Sequence, residues 1–207
     1  MKIILYGAQG SGKGTVGKIL SDKLGIPLVS TGDLLRALKP EDPHYEVMQT
    51  MMLAGGFENQ DIIADILKGR LAHADCANGF ILDGWGRKLV DIELFDPKID
   101  IAINLVISRD LSVKRIIGRR LCPKDNFMCN VFFRQPKVEG KCDVCGGDLI
   151  KREDDTEDAV NSRLNTFYSE TMLVVNRYKE EGKLIEVPAE GTAEETADAI
   201  LALLAHL

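Results

Sequence analysis

Residues 2–15 read Lys2-Ile3-Ile4-Leu5-Tyr6-Gly7-Ala8-Gln9-Gly10-Ser11-Gly12-Lys13-Gly14-Thr15, an apolar run of strand length that passes into a glycine-rich stretch ending on a lysine. A helical pattern follows, so the stretch sits between strand and helix, the context a phosphate-binding loop requires. Small residues let successive backbone N–H groups turn inward around an oxyanion, and the positive end of the helix dipole adds to the attraction. Lys13 is placed to reach outer phosphates, and Thr15 to offer a hydroxyl to a Mg²⁺ shell. The strict template has Ser or Thr directly after the lysine, and here Gly14 intervenes. A plain glycine-rich turn is the bland alternative, and the flanking strand and helix argue against it.

Outward from this loop, strand-length apolar runs at 2–6, 26–30, 79–83, 100–107 and 183–187 alternate with helical patterns. Gly25 suits the left-handed position that ends the first helix. Ile62, Ile63, Ile66, Leu67 and Leu71 share helical spacing, which predicts a helix over about 61–75. The last helix opens with the capping-box pair Thr192 and Glu195, and its apolar face is expected along Ala199, Ile200, Leu203 and Leu204. Continuously apolar strands separated by helices predict a three-layer α/β fold, a five-stranded parallel sheet covered on both faces. Two segments break the alternation. Residues 30–59 put short helical patterns where one helix would suffice, and the stretch from 121 to about 151 is rich in Cys, Gly, Pro, Phe and Val, a small β-rich insert. The expected division is a core of 1–29, 60–121 and 152–207, with inserts at 30–59 and 122–151.

The 207 residues include 26 Lys plus Arg against 32 Asp plus Glu, a net charge of −6. That balance argues against nonspecific nucleic-acid binding, which needs a positive field along the phosphate backbone. The apolar run at the N-terminus is too short for a signal peptide, and no stretch approaches the roughly 20 apolar residues of a membrane span. No membrane partner is expected, and the protein is expected in the cytoplasm. Cys122, Cys129, Cys142 and Cys145 cluster in the second insert while Cys76 stands alone as a bland buried or half-buried thiol. In a reducing compartment such a cluster holds metal more often than disulfides. His44, His73 and His206 have no neighbour that suggests catalysis, and Met48, Met51 and Met52 read as local core.

Three further motifs lie in order along the chain. Ser30-Thr31-Gly32-Asp33-Leu34-Leu35-Arg36 follows the second strand; Arg36 can fork onto a phosphate, and the Thr31 hydroxyl can face a base. Phe80-Ile81-Leu82-Asp83-Gly84-Trp85-Gly86-Arg87 follows the third, with Asp83 placed to hold Mg²⁺ through water and Arg87 to clamp an acceptor phosphate. Arg115-Ile116-Ile117-Gly118-Arg119-Arg120 leads into the Cys-rich insert, which leaves through Arg152-Glu153-Asp154-Asp155 and a helix with Arg163-Leu164. Arg115 and Arg119, four residues apart, are expected on one face of a helix. Each arginine has the plainer reading of a surface ion pair with a neighbour such as Asp110, Asp154 or Asp158.

Within the insert, Cys142-Asp143-Val144-Cys145-Gly146-Gly147 has the form of a zinc knuckle, two thiolates two residues apart with glycines for the turn. Its partner begins at Cys122 and is completed either by Asp125, at the standard spacing, or by Cys129, across a wider loop. Thiolate preference favours Cys129, giving Cys122, Cys129, Cys142 and Cys145 around Zn²⁺, with iron a second possibility.

Taken together, GKGT at 12–15, the segment from Ser30 to Arg36, the segment around Asp83 and the arginines flanking a Cys-rich lid resemble the adenylate kinases, a family of nucleoside monophosphate kinases with the phosphate-loop NTPase fold. The resemblance spans nearly the whole chain. It implies a Mg²⁺-dependent, reversible phosphoryl transfer from ATP to AMP giving two ADP, in a monomer whose 30–59 insert binds the monophosphate and whose 122–151 lid closes over the site. Gly10, Ser11, Gly12, Lys13, Gly14, Thr15, Arg115 and Arg119 would then bind ATP, and Thr31, Arg36, Gly84, Arg87, Asp91, Arg152 and Arg163 would bind AMP. Thr15 and Asp83 would serve magnesium. Lys13, Arg87, Arg119, Arg152 and Arg163 would be catalytic. The family usually reads DGFPRT where this chain has Asp83-Gly84-Trp85-Gly86-Arg87-Lys88, and Asp91 or, with a small shift, Glu93 stands where the family carries a base-reading Gln. A carboxylate accepts from an exocyclic amine but cannot donate to a ring nitrogen. UMP or CMP therefore stay open as acceptors, as does a nucleotide-binding regulator without turnover.

Overall fold

The computed structural model of the chain describes residues 1–53, 59–125, 127–152 and 155–206. Its elements run β1 (Lys2–Gly7), α1 (Lys13–Leu24), β2 (Leu28–Ser30), α2 (Thr31–Arg36), α3 (Tyr45–Leu53), α4 (Gln60–Leu71), β3 (Phe80–Asp83), α5 (Leu89–Leu94), β4 (Ile101–Val106) and α6 (Arg109–Ile117). There follow β5 (Arg119–Leu121), β6 (Met128–Asn130), α7 (Glu157–Thr166), a π-turn (Phe167–Thr171), α8 (Met172–Glu180), β7 (Leu184–Pro188) and α9 (Ala193–Leu204). The five parallel strands stand in the order β2-β3-β1-β4-β7. Both neighbours of β1 are therefore reached by crossover, and the crevice at its C-terminal end, where the strand order reverses, is where open α/β sheets bind ligands.

Strand alternation divides the core. Ile4, Tyr6, Leu82 and Ala102 face a layer that includes Leu67 of α4 and Val174, Val175 and Tyr178 of α8. Ile3, Leu5, Ile81, Ile103 and Leu105 face the other, with Val16 and Leu20 of α1, Val160 and Leu164 of α7, and Ile200 of α9. Successive residues point to opposite sides of a pleated strand, so a strand buried on both faces is apolar throughout. The helix α7–α8 passes from one layer to the other across the π-turn.

Two sequence expectations shift. The α4 helix ends at Leu71 rather than near residue 75, because His73 is extended and Arg70 reaches forward to Asp75 (2.6 and 2.9 Å), leaving a separate 3₁₀ turn at Ala74–Cys76. The capping box of α9 is present, but its buried stripe is Thr196, Ala197, Ile200 and Leu204, while Leu203 is 44% exposed. The period from Ala193 sets that stripe, one step away from the Ala199 and Leu203 side. Met48, Met51 and Cys76 are buried as expected.

The first excursion carries α2 and α3. The second is a small β unit, β5 and β6 antiparallel, with bridges Leu121–Ile150 and Lys141–Asp148 tying its far arm back. No helix among the described residues is long and apolar enough to cross a membrane. Because Ile103 is fully buried between β1 and β7, Ile103→Ala should destabilise the protein by about 2–5 kcal/mol, read as a lower urea midpoint at unchanged slope.

Candidate active site

The loop after β1 turns on glycines where a side chain would be strained. Gly7 has φ 145°, and a Cβ on it would lie 2.6 Å from Ser11 Oγ and 2.8 Å from the Leu105 carbonyl. Gly10, at φ 85°, would strike the Ser112 carbonyl at 2.8 Å. The Ser11 N–H donates to the Ala8 carbonyl (3.0 Å), and the Ser112 hydroxyl donates to the Gln9 carbonyl, pinning the loop against α6. Gly12, in the left-handed conformation, starts α1 at Lys13, so the helix N-terminus faces the crevice.

This loop forms the floor of a cavity of about 1380 Å³. Gly10, Gly12, Lys13, Gly14, Thr15, Thr31, Arg36, Asp83, Gly84, Arg87, Arg115, Arg119, Arg152 and Arg163 all line it. Ser11 is buried beneath the loop. Several of the cations that face the cavity rest on oxygens of the protein. Lys13 Nζ donates to the Gly7 and Ala8 carbonyls (2.7 and 3.2 Å). Arg36 donates to Asp33 (2.5 Å), and Arg163 to the Met52 carbonyl (3.4 Å). Arg115 donates to the carbonyls of Ala189, Glu190 and Gly191 (2.8–3.0 Å), and Arg119 forks onto the buried carboxylate of Asp155. Thr31 is 4% exposed, and its hydroxyl has no partner among the described residues.

Burial shapes the electrostatics. Desolvation lowers Lys13 to about 8, against the pull of Asp83, and lowers Arg87 to about 10. The same burial raises the Asp83 carboxyl, opposed by Lys13 and Arg87. Phosphate oxygens would reverse the cost by supplying counter-charge.

Three expectations from the sequence need correction. Arg115 and Arg119 do not share a helix, since α6 stops at Ile117 and Arg119 opens β5. Asn130 Nδ2 donates to the Arg115 carbonyl (2.7 Å), and a Cβ at Gly118 would meet Asn130 Oδ1 at 2.5 Å, so the chain turns there. Asp91 does not face the cavity. It is 4% exposed and accepts from the N–H groups of Arg87 (2.8 Å) and Lys88 (3.0 Å), as the third residue of α5 capping the start of its own helix. The third correction lies in the lid. Cys122, Asp125, Cys142 and Cys145 bring one ligand atom each within 4.8 Å of one another, whereas Cys129, on β6, lines the nucleotide-sized cavity instead. Glu153 and Asp154, from the segment that leaves the lid, lie outside the described residues.

The four lid groups fit a metal. Cys122 Sγ and Cys145 Sγ are 3.5 Å apart, and Cys142 Sγ lies 3.2 Å from Asp125 Oδ2. A tetrahedral zinc with Zn–S near 2.3 Å spaces its ligands by roughly 3.5–3.8 Å. The Phe127 N–H (2.9 Å), then the lid thiols, hold the Asp125 carboxyl well below its usual range, leaving an ionised oxygen ligand.

Phe133, on the cavity wall, and Asp155, paired with Arg119, are positions to which the sequence patterns assign no role. Phe133 lines the cavity with the Arg115 guanidinium 5.9 Å from its ring centre. An exposed Phe in a polar lid and one Asp among several carry no local signal of their role. A phosphate loop, facing arginines from both excursions and an acid at the end of β3 define a phosphate-loop kinase joining two phosphorylated ligands.

Comparison with known proteins narrows the class. The family model for adenylate kinase matches residues 5–183. Adenylate kinases of Ruminiclostridium cellulolyticum and Thermodesulfovibrio yellowstonii are 39% and 38% identical to this chain, and that of Caldicellulosiruptor bescii is 36% identical, each alignment covering 99% of both chains. The chain belongs to the adenylate kinase family.

Two measurements follow from this geometry. Asp125→Ala should release the lid metal while Cys129→Ser keeps about one equivalent, read by elemental analysis after gel filtration. Between pH 8 and 9 free Lys13 is partly deprotonated, and phosphate contact raises its pKa, so ATP binding should take up protons. Calorimetry in buffers of different ionisation enthalpy would show this uptake, and Lys13→Met should abolish it.

Proposed function

We propose that this chain catalyses Mg²⁺-dependent phosphoryl transfer from ATP to AMP, giving two ADP, and the reverse. The carrying observation is the convergence of Lys13 with arginines from the core, from α6, from β5 and from both sides of the lid on one cavity floored by a phosphate loop. Such a field suits two polyphosphates whose charges would otherwise repel across the transferred group.

In this reading, the loop N–H groups of 10–15 and Lys13 hold the ATP phosphates, and the ATP base lies beside Arg115 and Phe133. Arg36 and Arg87 hold the AMP phosphate, with Thr31 and Gly84 at its nucleoside. An AMP phosphate oxygen attacks the γ-phosphorus as the bond to the β,γ-bridging oxygen breaks. Arg119, Arg152 and Arg163 hold the charge that builds on the transferring oxygens. Thr15 and Asp83 would hold Mg²⁺ through water, and the ion would neutralise charge on the ATP phosphates. Closing the 30–59 and 122–151 inserts over the core of 1–29, 60–121 and 152–207 keeps out water, the competing acceptor.

The lid reading extends the same proposal. Cys122, Asp125, Cys142 and Cys145 hold a structural Zn²⁺, for which iron competes, in a cytoplasmic protein whose compartment keeps the thiols reduced. The enzyme in this reading is a monomer, as the resemblance to the family implies. A coupled assay with Mg·ATP and AMP, CMP, UMP or GMP tests the reaction. AMP should exceed the other acceptors by at least about 10-fold in kcat/KM. A better acceptor than AMP, or tight nucleotide binding without turnover, would overturn the proposal.

A further inference from the structure

Arg87 hangs from a peptide with little rigidity of its own. Gly86 precedes it at φ 65°, in the left-handed region that glycine enters freely. No side chain can stiffen that residue, since a Cβ on Gly86 would lie 2.7 Å from Ile92 Cδ1 and 2.8 Å from the Tyr6 hydroxyl. Arg87 itself is desolvated, with the Asp83 carboxylate attracting it and Arg163 and Arg36 repelling it. A backbone this soft does not by itself fix where the Arg87 side chain starts.

The structure holds the peptide at both ends instead. Asp91 Oδ2 accepts from the Arg87 N–H (2.8 Å) and the Lys88 N–H (3.0 Å). The Thr171 hydroxyl donates to the Arg87 carbonyl (2.9 Å), and Glu170 pairs with Lys88 (3.0 Å). Asp91 and Thr171 are each 4% exposed, so water does not compete for these bonds. Glu170 and Thr171 both belong to the π-turn, the irregular stretch of the helix that also carries Arg163. A π-turn adds a residue to the helical repeat and re-aims the side chains that follow. Here it lies where the helix crosses from one core layer to the other, beside the end of β3.

We propose that Thr171 and Asp91 are positioning residues that fix Arg87 against the acceptor phosphate, which makes the π-turn part of the phosphoryl-transfer machinery. This rests on the reading of Arg87 as an AMP-phosphate ligand. It also gives Asp91 a task distinct from reading the acceptor base. Neither residue touches substrate; both act through the Arg87 backbone.

The test uses the full-length, metal-loaded enzyme and compares Thr171→Val, which keeps shape but loses the hydroxyl, with Thr171→Ser, which keeps the hydroxyl. Thr171→Val should lower kcat/KM for AMP by about 10-fold and leave KM for ATP within about twofold, since small displacements of a clamp act on the ligand it holds. Thr171→Ser should recover most of that loss. Asp91→Asn, which keeps one acceptor oxygen, should be milder than Asp91→Ala. AMP kinetics unchanged in Thr171→Val, or equal losses for ATP and AMP with no recovery in Thr171→Ser, would overturn the inference. A parent enzyme that does not phosphorylate AMP would overturn the underlying reading and this inference with it, whereas an active parent beside an unchanged variant rejects the positioning role alone.

Discussion

Cations that face one another across a cavity repel, and the architecture around this site answers that repulsion. Lys13 leans on the Gly7 and Ala8 carbonyls, Arg115 on three carbonyls of the loop after β7, Arg119 on Asp155 and Arg36 on Asp33. These oxygens hold the cations without cancelling the field, because carbonyls carry only partial charge and only some partners are acids. Nucleotide phosphates therefore meet a set of positive groups already aimed inward. The net charge of −6 does not prevent this, since burial and placement, not the total, decide the local potential.

The scaffold positions those groups by ending elements where charge is needed. Parallel strands deliver their C-terminal ends to one edge, and β1, β3 and β4 contribute the phosphate loop, Asp83 and the start of α6 there. The long helix after the lid contributes twice, through Arg163 on α7 and through the π-turn that grips Arg87. A regular helix would have kept one face toward one core layer. The irregular turn lets the same helix serve both layers and the site between them.

The lid is too small to bury much apolar surface, and its exposed Phe132, Val138, Val144 and Ile150 show how little core it has. Cys122, Asp125, Cys142 and Cys145, placed so that they could hold a metal, bring the β5–β6 arm to the 141–150 arm, and a bound ion would supply the missing cohesion. The choice of Asp125 over Cys129 follows from local geometry. Cys129 is committed to β6, opposite Arg120, and that strand places it toward the cavity. Asp125 sits in the turn between the two strands, where its carboxylate reaches the thiols.

Much of this is legible in one dimension. The glycine spacing of 7–15, the apolar alternation of five strands, the cysteine pair at 142 and 145 and the arginines of the phosphate path are local patterns, and local patterns survive folding because they act within a few residues. Asp91, Arg119 and Cys129 mislead for one shared reason. Which way a side chain points depends on where its helix or strand stops, and stops are fixed by partners outside the local pattern: the Lys88 cap on α5, Asn130 against the end of α6, the β5–β6 pairing of the lid. The sequence by itself determined the fold class, the phosphate loop and the supply of positive charge. Only the tertiary structure decided which acid lies among the lid thiols, which acid accepts from the Arg87 N–H and how one helix serves two layers, because those outcomes depend on contacts between residues that the chain brings together only on folding.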